Sequence, residues 1–171
     1  REPHFPFSSG PRDYQKRAFE NWKNNQQKGL FSMATGTGKT LTALNCLLEI
    51  YKRKGYYKAI ILVPTQTLVE QWVQECKKFD FRNIILAYSK NSKWKDEIDL
   101  LHLREDFNPT NKADSFIIIS TYASFVRNNV FESLNTFSKK QTLFIADEAH
   151  NMGAKRVLDR IDSIKYLRRI G

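Results

Sequence analysis

The sequence is poor in cysteine and in long apolar runs, and each shortage argues against a class of protein. Its two cysteines, Cys46 and Cys76, are single and lie inside apolar helical patterns. They are therefore interpreted as buried structural thiols, not as a disulfide or metal ligands, which weakly favours a reducing, intracellular compartment. No apolar run approaches the ~20 residues that a membrane-spanning helix needs. We expect a cytoplasmic protein, or a nuclear one in a eukaryote, with no membrane partner.

The chain also lacks a starting methionine, a secretory apolar segment, an internal repeat and a low-complexity tract. Its 171 residues suit one domain, and the 41% hydrophobic content with 22 aromatic residues (12 Phe, 7 Tyr and 3 Trp) can supply a core. We expect residues 1–171 to form a single soluble domain cut from a longer protein. No pattern in the sequence specifies an oligomeric state.

Acidic residues are in the minority. Lysine and arginine number 28 against 18 acidic residues, so the net charge is +10. This excess favours a polyanionic partner such as nucleic acid, because binding releases counterions from the phosphates. A generic basic surface explains the charge alone equally well.

Short apolar segments alternate with amphipathic ones along the chain. Near-continuous hydrophobicity predicts strands at residues 30–33, 59–63, 84–88, 116–119 and 142–146, as in a parallel sheet covered on both faces. Right-handed crossovers between them predict an α/β fold: an open, mainly parallel sheet with helices on both faces. Ligands of such sheets bind beyond the carboxyl ends of the strands.

Two helical patterns separate the first three predicted strands. Each places four apolar residues on one face: Leu41, Leu44, Leu48 and Tyr51 in the first, Val69, Trp72, Cys76 and Phe79 in the second. Gly55 is suited to end the first helix, because glycine tolerates a left-handed cap. The polar segment 91–114 predicts an exposed helix carrying Trp94, Ile98 and Leu101, then a loop at Asn108 and Pro109.

The strongest chemical signal is the segment MATGTGKT, which follows a predicted strand and opens a helix. Glycines let backbone N–H groups turn towards phosphate oxygens, and the helix N-terminus adds positive potential. Lys39 would reach the β- and γ-phosphates and the Thr40 hydroxyl would ligate Mg²⁺. The pattern departs from a strict phosphate loop, since Met33 stands where glycine is usual. The predicted nucleotide-binding residues of this loop are Thr35, Gly36, Thr37, Gly38, Lys39 and Thr40.

The acidic pair Asp147 and Glu148 closes the last predicted strand, about a hundred residues after the phosphate loop. Asp147 can hold Mg²⁺ through its waters, and Glu148 can orient or deprotonate the attacking water. Lys39, Asp147 and Glu148 are therefore the predicted catalytic residues, with Thr40 and Asp147 at the metal. On its own the pair could be an exposed strand end. The cofactors predicted are ATP and Mg²⁺.

Five motifs in this order (PRDYQ, MATGTGKT, VPTQTLVEQW, STYAS and ADEAH) make the chain similar to a known family. It resembles the N-terminal RecA-like domain of superfamily 2 helicases and translocases, a P-loop NTPase domain. The likeness is greatest to the group of restriction-enzyme motor subunits and XPB- and UvsW-like motors, and it covers essentially the whole chain. The family pattern implies an ATP-dependent nucleic-acid motor, acting on DNA in preference to RNA.

The resemblance assigns further roles. Gln15 would read the adenine edge with its amide, supported by Arg12. Without the family, the helix at residues 14–22 would be an ordinary amphipathic one with a surface glutamine. His150 would couple the nucleotide site to the strand-tracking surface.

The resemblance also implies contacts with a nucleic-acid backbone. Hydroxyls and amides suit a motor that must hold any sequence, since they bind phosphate and not base edges. The threonines among these residues could equally cap helices, and Trp72 and Phe125 are expected in the core. The predicted contacts are Pro64, Thr65, Thr67, Thr121 and Tyr122.

The chain stops at Gly171, before the Ser-Ala-Thr motif and the second RecA-like domain that the family pattern expects. That missing domain is the partner implied for turnover. Two alternatives remain: a phosphate-loop phosphotransferase or GTPase, and a nucleotide-binding module without turnover. A GTPase should carry an N-K-x-D segment after a strand, and none stands in that position.

Overall fold

The computed structural model describes residues 2–24, 37–107, 115–135, 137, 141–147 and 168–170. Helices and strands alternate through much of this part of the chain. The helices are α1 (Asp13–Asn24), α2 (Thr37–Lys54), α3 (Gln66–Lys78), α4 (Trp94–Phe107), α5 (Tyr122–Phe125) and α6 (Asn128–Asn135). The strands are β1 (Lys58–Val63), β2 (Ile84–Ala87), β3 (Phe116–Thr121), β4 (Leu143–Ala146) and β5 (Arg168–Ile170).

The strands form one sheet in the order β2-β3-β1-β4-β5. Every pairing is parallel, and β1 lies between β3 and β4. Four predicted strands are confirmed to within two residues at each end. The predicted strand at 30–33 lies outside the described residues, and β5 was not predicted because only three residues form it.

The core has two halves because successive residues of each strand point to opposite faces. On one face Ala59, Ile61 and Val63 pack with buried residues of α1, α2 and α3. On the other, Ile60 and Leu62 pack with residues of α4, α5 and α6. The prediction of an open parallel sheet with helices on both faces is confirmed.

The helices present the predicted faces. Leu44, Leu48, Val69, Cys76 and Phe79 are buried in one cluster, with Leu41 and Tyr51 packed against it. Gly55 ends α2 with a positive φ of 79°, and its N–H donates to Tyr51 O at 2.8 Å. An L side chain at this position would be strained, which is why glycine stands there.

Helix α4 is less exposed than predicted. Ile98 and Leu101 are buried in the second core half, and Trp94 is partly buried against it. Leu100 and Leu103 occupy the solvent side. Asn108 and Pro109, the predicted loop, lie outside the described residues.

The amino-terminal segment is fastened to the C-terminal end of α3. The His4 backbone N–H donates to Phe79 O at 2.9 Å, and its Nε2 lies 2.6 Å from Asp80 Oδ2. Phe5 packs edge-on against Phe79, with ring centroids 5.5 Å apart. These contacts tie the amino-terminal segment to the end of α3. Among the helices that the structure describes, none has the length and apolarity to cross a bilayer.

Candidate nucleotide and nucleic-acid site

Three of the predicted motifs meet at one edge of the sheet. Pro64 follows β1, Thr121 ends β3 and Asp147 follows β4, and all three strands run parallel. Because β1 lies between β3 and β4, these carboxyl ends are side by side. The Asp147 N–H donates to Leu62 O at 2.8 Å, so the β1–β4 ladder reaches the first residue of the DEAH motif. This edge is where parallel sheets bind ligands.

Asp147 is the centre of the described site. The residue is only 8% exposed. Its Oδ2 accepts a hydrogen bond from Trp72 Nε1 at 2.9 Å, and its Oδ1 lies 3.8 Å from Lys39 Nζ. The Tyr122 hydroxyl donates to the Asp147 main-chain oxygen. A carboxylate this buried needs such partners, since burying an unpaired charge is costly.

The end of the phosphate loop is also described. Helix α2 starts at Thr37, so Gly38, Lys39 and Thr40 lie in its first turn, where no acidic residue stands. The free N–H groups and dipole of a helix N-terminus attract anions. The Thr42 hydroxyl donates to Gly38 O at 2.7 Å and ties this turn together. Lys39 thus links the start of α2 to Asp147.

The donor set fits magnesium. Carboxylate and hydroxyl oxygens are the ligands that Mg²⁺ prefers, and it is ordinarily held by one or two carboxylates together with substrate phosphates. Asp147 Oδ1 faces the first turn of α2, which also carries Thr40. No group of three or more His, Cys, Asp or Glu side chains gathers within the described ranges. Thr40 and Asp147 are the described residues that would hold the ion.

The PRDYQ motif packs beside the phosphate loop. A Cβ atom added to Gly38 would lie 3.0 Å from the Tyr14 hydroxyl, so the first turns of α1 and α2 touch. Gln15 is 2% exposed, and the interpretation of a surface glutamine is wrong. Its Oε1 accepts a hydrogen bond from the Arg12 backbone N–H at 2.9 Å, the reciprocal half of a capping box.

The segment after β1 starts α3. Thr65 is the N-cap, and its hydroxyl oxygen accepts a hydrogen bond from Leu68 N at 3.2 Å. Thr65 and Thr67 are exposed and Pro64 is half-buried. The capping interpretation of Thr65 is confirmed, and its exposure leaves this turn accessible to a ligand.

The segment after β3 is more enclosed. Thr121 caps α5, accepting from Ser124 N at 3.2 Å, and is buried. Tyr122 is buried as well, with its hydroxyl turned inward onto Asp147. A side-chain contact from Tyr122 to nucleic acid is therefore not favoured by its position, because its polar atom is already used inside the protein.

Several predicted site residues lie outside the described part of the chain. They are Thr35, Gly36, Glu148 and His150, and the side chain of Thr37 belongs with them. Elsewhere the core assignments of Trp72 and Phe125 are confirmed by their burial. Cys46 and Cys76 are free and buried, and burial raises the pKa of both thiols above the ordinary range.

The hydrogen bond from Trp72 to Asp147 was missed at the level of sequence. Periodicity assigned Trp72 to the core, correctly, but says nothing of its indole N–H. A buried tryptophan nearly always finds an acceptor for that group. The useful signal was that Trp72 lies on the helix that follows a central strand, close to the edge where the acidic motif was expected.

Comparison with known proteins agrees with the motifs. The sequence matches the family described as "Type III restriction enzyme, res subunit" over residues 8–171. The chain belongs to this res-subunit family. Membership confirms the predicted relation to superfamily 2 helicases and translocases, and the structural neighbours confirm the RecA-like fold.

The individual relatives that this chain matches include proteins named as helicases and a type I restriction enzyme subunit. The chain is 32% identical over 149 residues to "ATP-dependent RNA helicase MSS116, mitochondrial" of Candida albicans, covering 83% of the chain and 21% of that protein. The chain spans about a quarter or less of the length of the curated relatives it matches.

Two solved structures share the fold. The Sulfolobus solfataricus SWI2/SNF2 ATPase core in complex with dsDNA has a TM-score of 0.66 at 20% identity, over 99% of this chain and 33% of that one. The type ISP restriction-modification enzyme LlaGI, a nuclease-deletion mutant with a DNA substrate mimic, has a TM-score of 0.64 at 26% identity. That match covers 92% of this chain and 14% of the other.

Proposed function

We propose that this chain is the ATP-binding half of a nucleic-acid-dependent motor that couples ATP hydrolysis to unwinding or translocation of DNA. The observation that carries the proposal is the approach of Lys39 to Asp147, 3.8 Å from Nζ to Oδ1. It brings the phosphate loop and the acidic motif together at the carboxyl edge of the sheet. Membership of the res-subunit family supports the same function.

The reaction is attack of water on the γ-phosphorus of ATP. The bond to the β–γ bridging oxygen breaks, and ADP and inorganic phosphate leave. Lys39 holds the β- and γ-phosphates, while Thr40 and Asp147 would hold Mg²⁺, which would neutralise charge on the phosphate oxygens. Glu148, directly after Asp147, orients or deprotonates the water. The loop residues Thr35, Gly36, Thr37 and Gly38 supply backbone N–H groups to the phosphates.

Adenine recognition is proposed for Gln15, with Arg12 in support. The contact between Tyr14 and Gly38 places this motif against the phosphate loop, where the base of a bound nucleotide would be within reach. The Gln15 carbonyl already accepts one hydrogen bond from Arg12 N. An amide oxygen has two lone pairs, so it can still accept from the exocyclic amine of adenine.

Nucleic acid is proposed to lie along the turns that follow β1 and β3. Pro64, Thr65 and Thr67 are the accessible members, and Thr121 and Tyr122 would contribute through their backbone. The net charge of +10 supports a polyanionic partner. DNA is proposed over RNA because both solved relatives described above were studied with DNA. His150 is proposed to relay between the two sites.

A GTPase or phosphotransferase is the competing proposal. The letters N-K-A-D do occur at residues 111–114, but directly before β3. They therefore do not follow a strand along the chain, which is where the guanine-reading segment of a GTPase stands. The same letters could read a bound guanine only at the carboxyl edge, so they do not favour this alternative.

The test is nucleotide hydrolysis by the protein as it is naturally expressed, with duplex DNA, single-stranded DNA and RNA compared at several salt concentrations. Salt matters because a charge of +10 can mimic specific binding at low ionic strength. We expect ATP to be preferred over GTP and the rate to rise with DNA. A rate that no nucleic acid changes would contradict the motor function.

Two variants separate binding from chemistry. Lys39→Ala should abolish nucleotide binding or weaken it strongly, because the phosphates lose their cation. Glu148→Gln should retain binding and lose hydrolysis, since the amide cannot accept the proton of water. Turnover that survived Glu148→Gln would disprove the role of Glu148 without touching the remaining assignments.

The isolated 171 residues should bind nucleotide but hydrolyse it poorly. We propose that a second RecA-like domain supplies arginine fingers, each worth roughly 10³–10⁵ in rate. Strong nucleic-acid-stimulated turnover by residues 1–171 alone would contradict the proposal that a second domain supplies groups needed for hydrolysis.

A further inference from the structure

The side chain of Trp72 combines a ring in the apolar core with an N–H group that reaches Asp147. Its ring is 2% exposed and belongs to the core half that α2 and α3 share. Its indole N–H leaves that apolar cluster and donates to Asp147 Oδ2 at 2.9 Å. The side chain therefore connects helix α3 directly to the proposed metal ligand.

The oxygens of Asp147 are divided between partners on different elements. Oδ2 accepts from Trp72 on α3, whereas Oδ1 faces Lys39 on α2 at 3.8 Å. The main-chain N–H donates to Leu62 O of β1, and the main-chain oxygen accepts from the Tyr122 hydroxyl. The backbone and Oδ2 are thus held by hydrogen bonds, and Oδ1 faces the Lys39 ammonium of α2.

The hydrogen bond from Trp72 to Asp147 affects the carboxylate as well as the buried indole. Hydrogen bonds to an ionised acceptor are roughly twice as strong as those between neutral groups, and they fix direction as well as distance. Groups that hold a metal ligand in this way set its orientation and its basicity. Helix α3 begins at Thr65, the accessible turn of the proposed nucleic-acid surface, so the same helix touches both sites.

We propose that Trp72 is a positioning residue that fixes the Asp147 carboxylate so that Oδ1 faces Mg²⁺, and that it links α3 to the metal site. The inference rests on the proposed ATPase function. Tyr122 supports it from the other side, holding the Asp147 main chain to the segment that follows β3. Asp147 is therefore hydrogen-bonded by a residue of the helix that follows the first proposed strand-tracking segment and by Tyr122 of the second.

The decisive variant is Trp72→Phe, which keeps an aromatic ring in the core and deletes the N–H donor. We expect the Mg²⁺ concentration that gives half-maximal ATPase to rise about tenfold, as is typical when a group that supports a metal ligand is removed. Trp22→Phe is the matched control, because Trp22 is equally buried in the same core half but lies on α1. Both variants should lose thermal stability, Trp72→Phe the more because Asp147 Oδ2 is left without its donor, and only Trp72→Phe should change the magnesium dependence.

A second readout needs no turnover. In the ¹⁵N-labelled protein the indole N–H resonance of Trp72, assigned by its loss in Trp72→Phe, should shift in Asp147→Asn and should also shift when Mg²⁺ and a non-hydrolysable ATP analogue are added. The other indole resonances should move less. In a double-mutant cycle on Mg²⁺-dependent analogue binding, adding Trp72→Phe to Asp147→Asn should have little further effect, because the two residues act as one unit.

The outcomes separate the two proposals. An active ATPase in which Trp72→Phe and Trp22→Phe have the same magnesium dependence would overturn the role of Trp72 and leave the motor function standing. An indole resonance that ignores Asp147→Asn would overturn the contact itself. A wild-type protein that hydrolyses no nucleotide, with the resonance still responding to Asp147→Asn, would overturn the motor function instead.

Discussion

Gln15 has one role that is visible in the structure and one that is proposed. It closes the start of α1 by accepting from Arg12 N, and it is proposed to read adenine. The two roles share the carbonyl oxygen, and only adenine recognition also needs the amide N–H₂. Replacing the amide with a carboxylate therefore keeps the capping acceptor and removes the donor that adenine needs.

Gln15→Ala should lower the free energy of unfolding by about 1 kcal/mol, because the capping hydrogen bond is lost. It should also raise the KM for ATP. Gln15→Glu keeps an acceptor for Arg12 N but removes the amide N–H₂, and it places a carboxylate where the side chain is only 2% exposed. We expect Gln15→Glu to lose the preference for ATP over GTP, measured by the ratio of kcat/KM, and to lose stability as well, measured by urea unfolding. An unchanged preference in Gln15→Glu would exclude adenine reading by this amide.

At the scale of elements, α3 connects the accessible turn after β1 to the interior. Its N-cap, Thr65, is exposed, whereas Val69, Trp72 and Cys76 face the core. The hydroxyl that caps the helix is also the group proposed to meet a phosphate. An acidic residue can replace the first function but opposes the second, because carboxylate and phosphate repel each other.

Thr65→Asp should therefore retain stability, since aspartate is a good N-cap and its charge suits the helix dipole. The same variant should bind DNA several-fold more weakly. Thr65→Ser should keep both properties, and Thr65→Ala should lose about 1 kcal/mol of stability. Fluorescence anisotropy with labelled duplex DNA and thermal unfolding measure the two effects. DNA affinity that is equal in Thr65→Asp and Thr65→Ser would remove this turn from the proposed interface.

Some of these elements were predicted from the sequence and others were not. The strands were found because parallel strands covered on both faces are apolar at every position, as Ile60 and Ile61 of β1 illustrate. The three residues of β5 are too few to carry a pattern, and their pairing with β4 is a tertiary fact. The burial of Gln15 was not predicted either, because a polar residue does not belong to the apolar stripe by which buried helical positions are recognised. Its hydrogen bond with Arg12 N caps the helix.

The site was predicted in outline because its motifs follow strands whose ends share an edge. The order and position of the motifs predicted that Lys39 and Asp147 lie close together, and in the structure Lys39 Nζ is 3.8 Å from Asp147 Oδ1. Spacing could not show that Tyr122 turns inward or that Trp72 donates to Asp147. Both contacts depend on how the helices pack against the sheet, and this packing is determined by the tertiary structure of the core.

For the whole molecule, the buried thiols make stability depend on pH. Burial, aided by Glu49 and Glu75, raises the pKa of Cys46 and Cys76 in the folded state. The unfolded chain releases these protons near the ordinary thiol pKa of about 8.5, while the folded chain keeps them. Stability is therefore full below about pH 8.5 and falls as the pH rises above it, by up to ~1.4 kcal/mol per pH unit for each thiol.

Urea unfolding between pH 7 and 9.5 under reducing conditions should show this decline. Cys46→Ala and Cys76→Ala should each lower stability at pH 7 by creating a cavity, and each should reduce the slope. In the native protein both thiols should resist alkylation at pH 8, because thiolate is the reactive form and burial suppresses it. Rapid alkylation of the folded protein would contradict the burial of these side chains.

His4 and Phe5 are attached to the C-terminal end of α3, opposite the end that carries Thr65. The 13 residues of this helix span roughly 20 Å, and Trp72 stands at the midpoint. If α3 tilted rigidly about its Phe79 end, a displacement of about 1 Å at Thr65 would move the Trp72 position by about 0.5 Å. Catalytic groups must be placed to within roughly 0.5 Å. If nucleic acid binds the turn at Thr65 as proposed, a movement of about 1 Å there would be enough to change the alignment of Asp147 Oδ1 with the proposed metal site.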